Sequence, residues 1–265
     1  MTAKKIIRVL IVDDSALTRK ILREILSSDA EIEVVGTAMD PYVARNKIKQ
    51  LNPDVLTLDV EMPKMNGINF LKNLMRLRPM PVVMVSTLTQ KGADLALEAL
   101  GLGAVDYVGK PDAISETSLS DYCEEIINKI KVAASVNNTL CSPTNNQRSL
   151  APARTIKSTT SVSKSNGQSI VVIGASTGGT EAIKEIVASL KPDTYSLIVV
   201  QHIPRAFSSA FAERINDISA LEVCEAKHNQ KILPGHVYIA PGDQHLKIAR
   251  DENSNSLYCK LDDGE

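Results

Sequence analysis

The sequence predicts two successive α/β units, each a doubly wound parallel sheet, joined by a tether. Three observations carry this. Apolar runs rich in β-branched residues recur at 6–12, 55–58, 81–85 and 105–108, and again at 169–173 and 197–200. Between them lie stretches with apolar residues at helical spacing, and strands alternating with helices build parallel sheets through right-handed crossovers. The third observation is a break in this alternation from Val132 to Gln168, rich in Ser, Thr, Asn and Pro, where Arg148, Arg154, Lys157 and Lys164 meet no acidic residue. Such a composition buries too little apolar surface to order itself. The expected division is a first unit over 1–131, a flexible linker over 132–168, and a second unit over 169–265.

The elements follow in order. "IIRVLIV" reads as the first strand and "ALTRKILREILSS" as an amphipathic helix; "VLTL", "PVVMV" and "VDYV" are further strands, and "LSDYCEEIINKIKVAA" closes the unit as a helix. In the second unit "SIVVI" and "LIVV" flank the helical "TEAIKEIVASL". The helical "FSSAFAERIND" follows, then the shorter strands "VYIA" and "LYCKL" with a turn at "APGD" between them.

Composition narrows the function. At 265 residues the chain is long enough for two cores. A net charge of −1, 3% aromatic residues and no tryptophan argue against a nucleic-acid partner, and no basic recognition helix follows the linker. Cys123, Cys141, Cys224 and Cys259 lack metal-ligand spacing and read as reduced thiols. The apolar run near the N-terminus is too short for a secretory leader and ends in Asp13 and Asp14, and no segment reaches the roughly 20 apolar residues of a membrane span. The expected location is the cytoplasm, without membrane insertion.

Ligands of open parallel sheets collect at the carboxyl ends of the strands. Asp13 and Asp14 follow the first strand, Asp59 ends "VLTLD", Ser86 and Thr87 follow "PVVMV", and Lys110 follows "DYVG". Carboxylates gathered at one edge repel unless a cation joins them, and an all-oxygen set suits Mg²⁺. A lysine beside them can neutralise a phosphoryl oxygen. Taken singly, each aspartate is as well explained as a loop residue or a helix cap; the coincidence at four strand ends is what speaks for a site.

In the second unit "IGASTGGTEAI", residues 173–183, places Ser176 where a strand turns into a helix. The G-x-S-x-G pattern suits a nucleophile whose oxyanion is met by free helix N–H groups. A dinucleotide-binding turn is the competing reading, but it requires G-x-G-x-x-G and an acidic residue ending the next strand. Here the next strand ends "VVQHIP", so His202 stands beside Ser176 as a base beside a nucleophile. His228, His236 and His245 read as structural.

"VDDS", "LDVEMPKMNG", "MVST" and "DYVGKP" resemble the receiver domain of two-component response regulators. "IGASTGGTEAI", "VVQHIPRAFSSAFAERI" and "LPGHVYIAPGDQHL" resemble the catalytic domain of the chemotaxis protein-glutamate methylesterase (CheB) family. The resemblance implies a flavodoxin-like receiver followed by an α/β esterase domain. It makes Asp59 the phosphoacceptor and Asp13, Asp14 and Asp59 the Mg²⁺ ligands, with Ser86, Tyr107 and Lys110 as the receiver switch. Ser176 and His202 become the catalytic pair, with backbone N–H groups of Thr177, Gly178 and Gly179 around the oxyanion, and no cofactor in the ester chemistry. The implied activity is phosphorylation-regulated hydrolysis of γ-glutamyl methyl esters, and deamidation of glutamines, on chemoreceptors; a chemotaxis histidine kinase supplies the phosphoryl group.

The resemblance breaks at one point. The family's third catalytic residue is an aspartate in a glycine-rich "GMG-x-DG" segment beyond the histidine, and nothing after His202 spells it. The catalytic domain is therefore expected to be C-terminally incomplete and its turnover impaired, since the corresponding aspartate of serine proteases is worth roughly 10⁴ in rate. Asp243 is the first residue to consider in its place. A non-enzymatic receiver protein, acting as a phosphoryl sink or receptor-docking module, is the alternative.

Overall fold

A computed structural model describes residues 6–63, 65–87, 89–110, 116–140, 169–192, 195–251 and 254–263. Five parallel strands form the first sheet: β1 (Ile7–Val12), β2 (Ile32–Ala38), β3 (Val55–Asp59), β4 (Val82–Ser86) and β5 (Asp106–Gly109), in the order β2-β1-β3-β4-β5. The helices between them are α1 (Ala16–Ser27), α2 (Pro41–Leu51), α3 (Gly67–Leu77) and α4 (Gln90–Gly101), with α5 (Glu116–Leu140) closing the unit. Order reverses between β1 and β3, so the crevice of this doubly wound sheet opens where Asp13 and Asp59 end neighbouring strands. β2 has no counterpart among the four strands expected from the sequence. It carries none of the expected site residues.

Local sequence explains where the helices begin. Ser15 caps α1 by accepting from Thr18 N–H, Asp40 caps α2 through Tyr42 and Val43, and Asn66 caps α3 through Asn69. α5 runs on past Val132, where the sequence suggested a linker, because Ile126, Ile130 and Ala133 form one buried stripe against β1, β3 and β4. The remainder of the expected linker, 141–168 with Cys141, lies outside the described residues.

The second sheet is also parallel: β6 (Ile170–Ala175), β7 (Ser196–Gln201), β8 (Glu222–Glu225) and β9 (His236–Ile239), in the order β6-β7-β9-β8. Helices α6 (Gly179–Ser189) and α7 (Arg205–Asn216) cover one face. On the other face an antiparallel hairpin of β10 (His245–Arg250) and β11 (Leu257–Asp262) seals Ile198 and Tyr238 beneath Leu257 and Cys259. The hairpin covers neither the middle of the edge strand β6 nor the carboxyl end of β7, leaving Val172 60% and Val200 45% exposed. Among the described residues β6 pairs only with β7.

The two units are packed together. α4 lies against α6 and α7, and the apolar cluster holding Leu97 and Leu100 continues without a break into Val187, Phe211 and Ile215. No helix among the described residues is long and apolar enough to cross a membrane.

Candidate active and phosphoacceptor sites

At the first edge the structure gathers Asp13, Asp14 and Asp59, with one carboxylate oxygen of each within 4.8 Å of the others. Asp13 and Asp59 are buried and Asp14 is exposed. One oxygen of Asp13 accepts from Ser15 N–H at 2.8 Å; the other is buried without a hydrogen bond, 3.5 Å from the Lys110 ammonium. Asp59 accepts from Glu61 N–H at 3.1 Å and from Lys110 Nζ at 2.9 Å. One lysine thus balances two buried carboxylates, so a dication fits the remaining charge and the orphaned Asp13 oxygen. Burial pushes the Asp59 carboxyl up to about 6; Lys110 opposes this and the charge of Asp13 adds to it. Asp13 is raised for the same first reason.

The other residues expected in the switch stand back from this cluster. The Ser86 hydroxyl is buried and turned towards α4, donating to the Gly92 carbonyl at 3.2 Å, so in this conformation it does not face Asp59. Tyr107 is buried and its hydroxyl has no hydrogen-bond partner. Its ring stacks on Phe207 of α7, with Lys129 Nζ 5.3 Å from its centroid.

At the second edge Ala175 pairs with Gln201 as the last register of β6 and β7, and His202 N–H continues the ladder to the Ala175 carbonyl at 3.1 Å. Ser176 and His202 are therefore the next residues on neighbouring strands, whose backbones lie roughly 5 Å apart. Both are exposed. Their side chains make no hydrogen bond to each other. Gly178 begins α6 at φ 73, a left-handed conformation that suits glycine. The Ser176 carbonyl is held by Gln201 Nε2 at 2.9 Å and by Gly179 N–H at 2.7 Å. Of the three amides expected around the oxyanion, that of Gly179 is engaged inside the turn.

A cleft of about 600 Å³ opens beside this edge, lined by Gln201, His202, Pro241, Asp243 and His245 among others. Asp243 thus shares a cleft with His202, but it is exposed and no described carboxylate hydrogen-bonds the His202 ring. Loop 240–243 follows β9 and packs against the backbone of residues 203–205.

Sequence reasoning missed Asp106, at the start of β5. It is 7% exposed, accepts from Tyr107 N–H at 2.7 Å and lies 3.6 Å from Lys129 Nζ. Burial raises its carboxyl, and Lys129 is the largest opposing influence. No motif marks Asp106, because its partner Lys129 lies on another element, α5.

A phosphoacceptor-type sheet joined to a sheet whose edge presents a serine and a histidine defines a response regulator with a hydrolase as its output. Comparison with known proteins agrees. Residues 9–119 match the response regulator receiver domain and residues 171–264 match CheB methylesterase. A protein-glutamate methylesterase/protein-glutamine glutaminase of Hydrogenovibrio crunogenus is 49% identical over 97% of this chain and 74% of its own length. One of Saccharophagus degradans is 53% identical over 98% of this chain and 73% of its own. The crystal structure of the response regulator domain of Thermotoga maritima CheB matches 50% of this chain and 99% of its own, at 45% identity and a TM-score of 0.46. The chain belongs to the CheB family of protein-glutamate methylesterases/protein-glutamine glutaminases.

Proposed function

We propose that this chain is a cytoplasmic, phosphorylation-regulated hydrolase of γ-glutamyl methyl esters on chemoreceptors, and that it also deamidates receptor glutamines. The observation that supports this most is the placement of Ser176 and His202 directly after the paired residues Ala175 and Gln201. Ser176 Oγ attacks the ester carbonyl while the His202 imidazole takes its proton. The oxyanion is met by the Thr177 and Gly178 amides at the positive end of α6. His202 returns the proton to the departing methanol, or to ammonia from a glutamine. A water then gives a proton to His202 and attacks the acyl-serine, releasing the glutamate carboxylate and restoring Ser176.

Asp59 is the proposed phosphoacceptor, taking its phosphoryl group from a chemotaxis histidine kinase. Asp13, Asp14 and Asp59 would hold Mg²⁺, which when bound offsets the negative charge shared by the carboxylates and the incoming phosphoryl group. Lys110 stays beside Asp59 as a fixed positive charge, with Ser86 and Tyr107 responding to it. The domain division follows: a receiver over 1–131, a tether over 132–168 that is helical through Leu140, and a catalytic unit over 169–265. Receptor segments and the kinase are the partners; no nucleic acid takes part.

The test is methanol release from methylated chemoreceptor membranes by the purified chain, with and without a phosphoryl donor. Release that rises with the donor and vanishes in Ser176→Ala upholds the reading. Absence of release from a protein whose folding has been checked by circular dichroism overturns it.

A further inference from the structure

The loop between β9 and β10, residues 240–244, is a wall between two clefts. On one side lies the cleft of about 600 Å³ beside His202; on the other lies a cavity of about 330 Å³ that includes Arg205, Glu225 and His228 in its lining, and Pro241 and Gln244 border both. The loop does not keep this position by local preference. Asp243 is held at φ 60, a left-handed conformation that costs free energy for a residue with a side chain and persists only where its neighbours are tied down. After it, Gln244 Nε2 donates to the Asp263 carboxylate at 2.7 Å. Before it, Gly242 N–H donates to the Ser208 hydroxyl at 3.2 Å.

Ser208 is fully buried in α7, and three elements meet at its oxygen. It accepts from the loop and donates to the carboxylate of Glu225, the last residue of β8. The Arg205 carbonyl, 3.0 Å away on the same helix, is the other acceptor within reach of its single proton. A carboxylate is the stronger acceptor of the two, so Glu225 draws the proton to its own side and leaves a lone pair for Gly242. Gly242 in turn lies against the backbone of Ile203 and Arg205 with no room for a methyl group. One buried hydroxyl therefore sets how the cleft wall stands over the chain that follows His202.

We infer that Ser208 is a positioning residue for substrate binding: it pins the 240–244 loop in the form that shapes the cleft, and Glu225 directs its proton. The inference rests on the hydrolase reading of Ser176 and His202 and assigns to that same site the element that prepares it for substrate. Without the hydroxyl, Gly242 N–H is buried with no acceptor, and the loop relieves this by turning the amide out to water. The cleft is then formed in only a fraction of the molecules, and KM rises by the inverse of that fraction. His202 stays in place, because its N–H is bonded to the Ala175 carbonyl independently of the loop.

The experiment combines NMR-detected amide exchange at Gly242 with methanol release at varied receptor concentration. It uses the full chain as wild type, Ser208→Ala, Glu225→Ala, Glu225→Gln and the double variant of Ser208→Ala with Glu225→Ala. In Ser208→Ala, exchange at Gly242 is expected to speed up roughly tenfold, the scale of one buried hydrogen bond, while the amides within β9 keep their wild-type rates. KM should rise by roughly fivefold with kcat within about twofold. Glu225→Ala moves both readouts the same way by less, and Glu225→Gln, whose amide oxygen still accepts the proton, returns them towards wild type. The double variant is no worse than Ser208→Ala, since the two residues act in series. Wild-type exchange at Gly242 in Ser208→Ala overturns the proposal. So does an unchanged KM; a fall in kcat alone marks a variant that has only lost folded protein. A double variant as severe as the sum of its parts overturns the role given to Glu225. If no form releases methanol, the hydrolase reading fails, and exchange at Gly242 still decides whether Ser208 holds the loop.

Discussion

Tyr107 and Phe207 stack face to face across the boundary between the two units, with ring centroids 4.6 Å apart and planes 6° from parallel. Phe207 lies in the first turn of the helix that follows His202, so the ring of a proposed switch residue rests on the helix next to the proposed catalytic histidine. An aromatic pair of this kind is worth about 1 kcal/mol beyond its buried area. Phe207→Leu keeps most of the apolar volume and removes the stack. We expect turnover without phosphorylation to rise by roughly fivefold, with a small loss of thermal stability; methanol release and a melting curve read the two effects.

The raised carboxyl of Asp59 has a sign that can be checked. A folded value of about 6 against 3.8 unfolded means that the ionised group destabilises the fold, increasingly as pH climbs from about 4 through 6. The full effect is about 3 kcal/mol. Asp59→Asn is therefore expected to be more stable than wild type by up to that amount at pH 8, with the advantage falling below about 1 kcal/mol near pH 4. Urea unfolding at the two pH values measures it, and Mg²⁺ should narrow the gap at pH 8 by stabilising the ionised carboxylates.

Gly242 allows the loop after β9 to touch the chain beside His202. A methyl group there would stand 2.3 Å from the Arg205 nitrogen and 2.4 Å from the Ile203 carbonyl, both backbone atoms that cannot swing aside. Gly242→Ala is expected to cost about 1–3 kcal/mol of stability and to lower kcat/KM by displacing His202. A variant with wild-type melting and wild-type turnover would contradict this.

Gln201 anchors the nucleophile turn from within the catalytic unit. Gln201→Met removes the bond to the Ser176 carbonyl but leaves the one from Gly179. A loss of about 1 kcal/mol in stability is expected, together with a fall in kcat at nearly unchanged KM, because the turn moves while the cleft stays.

Cys259, on the inner face of the hairpin, is fully buried, and burial pushes its thiol up to about 11. At pH 8 roughly one part in a thousand is thiolate. Mass spectrometry after brief alkylation should find Cys123 and Cys224 modified well before Cys259, whose reaction begins only when the hairpin opens.

What the sequence disclosed and what it concealed follow from where residues sit in the sheets. Central strands such as β3, β4 and β7 are covered on both faces, so they appear as unbroken apolar runs and their carboxyl ends point to Asp59, Ser86 and His202. β2, β8 and β10 are edge or hairpin strands, where Glu33, Glu222 and Lys247 interrupt the pattern, and they were not legible. Ser176 was legible because glycines mark the turn. The commitment of Gly179 N–H, the turning of Ser86 towards Gly92, and the pairing of Asp106 with Lys129 were not. Each depends on a partner brought close only by folding.

Among the described residues no strand pairs with the outer flank of β6, and this bears on how the molecule behaves in a crowd. Its outward N–H and C=O groups form a row to which another strand can add, and beside it Val172 and Val200 leave an oily strip in water. Light scattering from the purified chain should therefore climb with protein concentration, and a charge placed by Val172→Lys should flatten that climb without touching either site.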